Sequence, residues 1–155
     1  MTRKERGGRA RMARYALACG LTFVLWSGVA ALQVAASPSA PDRPLLGLSG
    51  LLAFLLVFAT AFALAGAAVG ALVEAHPPRR LRWLLLGYVL APLIAGALAE
   101  VILLPWTLLG NGRIGYCAAM PVIFAAANPA GYLTFAGFAA LASWSLDALA
   151  DGRRR

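Results

Sequence analysis

Residues 48–73 read LSGLLAFLLVFATAFALAGAAVGALV, twenty-six positions without one Asp, Glu, Lys or Arg. At about 1.5 Å per residue, a helix over this run is about 39 Å long, more than the roughly 30 Å of hydrocarbon in a bilayer. The rest of the chain agrees with that reading. Of its 155 residues, 61% are hydrophobic and 13% charged. An ordinary water-soluble domain has about 25% charged residues, so this chain lacks the polar side chains to cover a water-facing surface.

Three more apolar runs accompany the first. One extends from Ala13 to Ala36, behind a basic leader, and ends at Ser37-Pro38-Ser39-Ala40-Pro41, which cannot continue a helix. The run at 48–73 stops at Glu74-Ala75-His76-Pro77-Pro78-Arg79-Arg80, read as a loop in water. The next, Trp83 to Leu104, is closed by Pro105, and its Pro92 leaves the Tyr88 carbonyl without a donor, so a bend is expected there. The last, Ile114 to Ala150, is too long for one straight crossing and is interrupted by Asn128-Pro129-Ala130-Gly131. A fourth span over 120–145, bent at Pro129, is the expectation. A fifth crossing made by splitting this stretch at Asn128-Pro129 would put the last three arginines on the far side, against the charge rule. The predicted fold is therefore an all-α integral membrane protein. It has a basic leader at 1–12, a four-helix bundle with spans near 13–36, 48–73, 83–104 and 120–145, and a basic tail at 151–155.

Orientation follows from the basic residues, because short loops rich in Lys and Arg stay in the cytoplasm. Arg3, Lys4, Arg6, Arg9, Arg11 and Arg14 precede the first span, Arg79, Arg80 and Arg82 separate the second and third, and Arg153, Arg154 and Arg155 end the chain. Four crossings put all twelve on one side, leaving Arg43 and Arg113 on the other. Both termini are expected in the cytoplasm, with Trp83 and Trp144 at the inner boundary and Trp106 and Tyr116 at the outer one. A cleaved signal peptide is the competing reading of the run from Ala13 to Ala36. Its apolar core, however, exceeds 20 residues against the 7–15 of a signal sequence. The 34 Ala and 13 Arg against a single Lys are a bias that GC-rich codons produce, and a bacterial plasma membrane is the expected location.

Helices in lipid attract through close backbone approach, which small side chains permit. Ala59, Ala63, Ala67 and Ala71 form such a stripe in the second span, beside Gly66 and Gly70. Gly87, Ala91, Ala95 and Ala99 form one in the third, and Ala136, Gly137 and Ala140 a shorter one in the fourth. These are the expected helix-packing positions. The expected partners are the bilayer itself, other membrane subunits or a second copy, and anionic lipid at the basic leader. No nucleic-acid-reading domain accompanies that leader.

Glu100 is the one acid well inside an expected span, where ionisable groups are rare. The structural reading pairs it with Arg113 or hydrogen-bonds it to Asn111; the functional reading makes it an ion, proton or substrate contact. Pro92, Gly96 and Glu100 share one face, where water or another backbone has room to approach. Asn128-Pro129-Ala130 resembles the tripeptide that aquaporins use where two half-helices meet. Aquaporins carry it twice on about six spans, and this chain has it once on four, so the reading kept is a kink at Asn128 and Pro129. No catalytic cluster, metal-ligand spacing or cofactor motif is evident, and Cys19 and Cys117 are expected too far apart to bridge. The sequence-level expectation is a non-catalytic accessory, assembly or interaction subunit. The alternative is a small oligomeric channel or transporter with Glu100 near its path.

Overall fold

A computed structural model describes residues 3–35, 48–111 and 115–152, and over these it is helical throughout apart from short connections. The helices are α1 (Arg3–Ala35), α2 (Leu48–Ala75), α3 (Arg80–Trp106), α4 (Tyr116–Ala127) and α5 (Pro129–Gly152). Pro77 and Pro78 turn the chain between α2 and α3 in one 3-10 turn, closed by the Arg79 N–H donating to the His76 carbonyl at 3.1 Å. Helix α3 runs as a single element through Pro92 and Pro105 and closes in a wide turn over Thr107–Asn111.

Four segments are long and apolar enough to cross a membrane: Gly7–Val29, Leu52–Ala75, Pro77–Leu109 and Pro129–Ala150. The fourth corrects the expected bent helix over 120–145. Helix α4 ends at Ala127, Asn128 leaves the helical region at φ −143°, and α5 starts afresh at Pro129. Physical chemistry favours this break. Proline suits the first position of a helix because its missing N–H has no partner there, and the Asn128 side chain accepts the Gly131 N–H at 2.9 Å as an N-cap. Pro129 therefore begins a helix instead of bending one. Helix α4, twelve residues and about 18 Å long, is too short to be a crossing of its own.

The four long helices form a ring in which α1 packs on α2 and α5, and α3 packs on the same two; α4 lies outside, against α3 and α5. Every neighbour in the ring is antiparallel. Along the α1–α2 contact, Gly66 meets Tyr15 and Cys19, and Gly70 meets Met12. A methyl at Gly66 would lie 2.6 Å from the Cys19 Cβ, and one at Gly87 of α3 would lie 2.7 Å from the Val69 Cγ1 of α2. Missing side chains thus set how closely these backbones approach. In α3, Gly87, Ala91, Ala95 and Ala99 face the interior and are buried. In α2 the fully buried line is Ala61, Ala65, Val69 and Val73, while Ala59, Ala63, Ala67 and Ala71 are half-buried. Ala136 and Ala140 of α5 are buried, and Gly137 faces outward.

This antiparallel order gathers the start of α1, the end of α2, the start of α3 and the end of α5 at one end of the ring, called here the basic end. Arg9, Arg11, Arg14, Arg79, Arg80 and Arg82 lie there. Leu17, Leu21, Leu25, Leu56, Leu85, Leu133 and Leu141 point outward around the girth, as a hydrocarbon surround would require.

Candidate functional site

At the far end, the geometry centres on Glu100. Its Oε1 accepts the Gly115 N–H at 2.7 Å and its Oε2 accepts the Cys117 N–H at 2.9 Å. These groups lie at the N-cap and in the first turn of α4, where backbone donors have no partner within the helix and a negative charge is favoured. Gly115 at φ 85° makes the turn in the left-handed region that only glycine enters freely. Just below, a Cβ on Gly96 would meet the Cys117 carbonyl at 2.7 Å and the Pro121 ring at 2.8 Å. The face shared by Pro92, Gly96 and Glu100 is thus where α4 seats. Burial and the Glu100 carboxylate together push the Cys117 thiol up. Arg113, one expected partner of Glu100, lies outside the described residues, as does the side chain of Asn111.

Between α4 and the ring lies a cavity of about 480 Å³, walled by Phe23 and Trp26 of α1, Phe54, Phe58 and Phe62 of α2, Pro92 and Gly96 of α3, Pro121 and Phe124 of α4, and Tyr132 and Phe135 of α5. The rings organise one another. Phe23 stacks on Phe62 at 4.6 Å between centroids, and Phe62 meets Phe135 edge-on at 5.2 Å. Tyr132 is turned by its hydroxyl, which donates to the Val89 carbonyl at 2.6 Å.

The basic end is built on different chemistry. Asp147 of α5 accepts at Oδ1 from Arg14 Nε at 3.1 Å and from the terminal Arg14 nitrogen at 2.7 Å, and at Oδ2 from Arg11 Nε and the Tyr15 hydroxyl, each at 3.1 Å. Arg11 also pairs with Glu74 of α2. One carboxylate and one guanidinium therefore tie α1 to α5 and α1 to α2. Across the ring, the Tyr15 and Tyr88 rings stack at 6.3 Å, and the Tyr88 hydroxyl bonds the buried Ser143 hydroxyl. His76, at the edge, stacks on Trp83 at 4.4 Å.

The apolar runs alone leave Asp147 and Tyr15 unmarked and put Glu74 in a loop. A signal was available. Arg11, Arg14 and Tyr15 fall at i, i+3 and i+4 on one helix face, and Asp147 is the only acid between Ile114 and Ala150. Ending the fourth span at 145 excluded Asp147 by two positions. Among the described residues, no group of three His, Cys, Asp or Glu is placed to hold a metal ion, and both cysteines are free thiols. Comparison with family models, curated proteins and solved structures finds no match to this chain.

Proposed function

We propose that this chain is a multi-pass protein of a bacterial plasma membrane, crossing four times with both termini in the cytoplasm, and that it serves as a non-catalytic accessory or assembly subunit. The observation that carries the reading is the position of Glu100. Both of its oxygens accept backbone N–H groups at the start of α4, so the acid that a permeation path would need is occupied in holding a helix. What α4 then offers is apolar surface: Val122 and Ile123 are exposed along it, while Met120 and Phe124 border the aromatic cavity. Contact within the bilayer is the work such a surface suits, because interface energy concentrates on aromatic anchors in pockets.

A photo-reactive residue at Val122, used in cells, tests this. Crosslinks to one defined membrane protein, or to a second copy, are expected. A strict monomer in mild detergent with no crosslinked partner would contradict the reading.

The alternative, a small oligomeric channel or transporter, is favoured by one observation: the chain breaks at Asn128 between two helices, and discontinuous helices are what transport sites use. Reconstituted protein with a flux abolished by Glu100→Gln would support it over the accessory role. Absence of flux would leave the accessory role as the reading.

A further inference from the structure

We infer that the basic end of the bundle holds one anionic phospholipid, its phosphate on Arg80 and the first part of its chains in the pocket between α3 and α5; this rests on the membrane reading above. The pocket measures about 370 Å³. Its walls are apolar, made by Val73, Leu81, Leu84, the Tyr15 ring and Trp144, and Arg80 stands at its edge. At roughly 30 Å³ for each water-sized group, that volume has room for about twelve of them.

Charge decides which lipid fits. Asp147 also borders the pocket, but Arg11, Arg14 and Tyr15 all donate to it, so two guanidinium groups offset its charge. Arg80 forms no ion pair among the described residues, and Arg79 and Arg82 beside it are exposed. Counting described side chains at this end, six arginines face two acids, Glu74 and Asp147. Trp144, 62% exposed, is placed as a headgroup-level ring. A basic edge over an apolar floor between helices, on the side where positive residues collect, is the form that anionic headgroup sites take. A free phosphate would use Arg80 and leave the apolar walls to water, which is why a lipid is the better occupant.

The test is retention of lipid by the full chain after reconstitution in bilayer discs of equal phosphatidylglycerol and phosphatidylcholine, followed by intact-mass measurement. One phosphatidylglycerol per chain is expected in preference to phosphatidylcholine. Arg80→Gln should lower retention about fivefold, the effect of one basic residue near a surface. Ala148→Trp, which fills the pocket from an exposed position and leaves the ion network intact, should lower it at least as much, while Arg9→Gln changes it less than twofold. Equal retention of both lipids, or full retention by Ala148→Trp, would overturn the site. Loss in Arg80→Gln without loss in Ala148→Trp would mean surface attraction alone and would overturn it too. Displacement by millimolar inorganic phosphate would assign the pocket to a free anion and overturn the lipid. Extraction of the wild-type chain from membranes by carbonate would instead sink the membrane reading, a distinct failure.

Discussion

The two ends of the bundle each hold a carboxylate in the grip of hydrogen-bond donors, but the donors differ in kind. Asp147 is held by side chains of α1, so its bonds join helices more than 130 residues apart in sequence. Glu100 is held by backbone N–H groups fifteen and seventeen residues away, so its bonds place one short helix against its neighbour. A clamp between long helices fixes the ring, whereas a cap on an outlying helix fixes only what covers the cavity. The basic end should therefore fail as a whole, and the far end piece by piece.

Four substitutions break or sharpen that contrast. The largest effect is expected from Asp147→Ala, which leaves Arg11 and Arg14 partly buried without their shared acid. Breaking such a pair from one side costs about 3 kcal/mol. Unfolding in mixed detergent micelles should show the loss in one cooperative step, and a change below about 0.5 kcal/mol, the range of an ordinary surface substitution, would erase the contrast. Gly66→Val comes next, at about 2 kcal/mol, because the new methyls collide with the Tyr15 backbone and Cys19 and push α1 from α2.

Glu100→Gln should cost only about 1 kcal/mol overall, since the amide oxygen still accepts one of the two bonds. Its sharper readout is local. The Glu100 charge helps to raise the Cys117 pKa, so removing it lowers that pKa, increases the thiolate fraction at a fixed pH, and should speed maleimide labelling of Cys117 but not of buried Cys19. Asn128→Ala is the mildest. It deletes an N-cap worth about 1 kcal/mol or less and should increase hydrogen exchange at the start of α5 while leaving the basic end unchanged.

Much of this architecture was written in the apolar runs, because span length and basic flanks are properties of continuous sequence. The α3 positions Gly87, Ala91, Ala95 and Ala99 could be read as one face since all four are small. In α2, small residues alone point to Ala59, Ala63, Ala67 and Ala71, while the buried line includes Val69 and Val73. Valine packs there because Gly87 opposes Val69, a match between helices that no single segment discloses. Asn128-Pro129 was legible as an interruption, but Pro129 reads equally as a kink or a beginning, and the capping bond to Gly131 decides. Glu100 stood out as an acid among apolar residues. Its partners on α4 did not, since backbone donors leave no mark in a sequence. The ion network was hardest to see, because Arg11, Arg14, Glu74 and Asp147 meet only when the ring closes.

Labelling of single cysteines in oriented vesicles tests the four-crossing account most directly, with the two native cysteines replaced and a new one placed at Gly7, at Leu149 or at Tyr116. An impermeant maleimide added to right-side-out vesicles should label the cysteine at 116 and spare those at 7 and 149, and inverted vesicles should reverse the pattern. Labelling at 7 and 149 from opposite sides would contradict the shared basic end and the ring built on it.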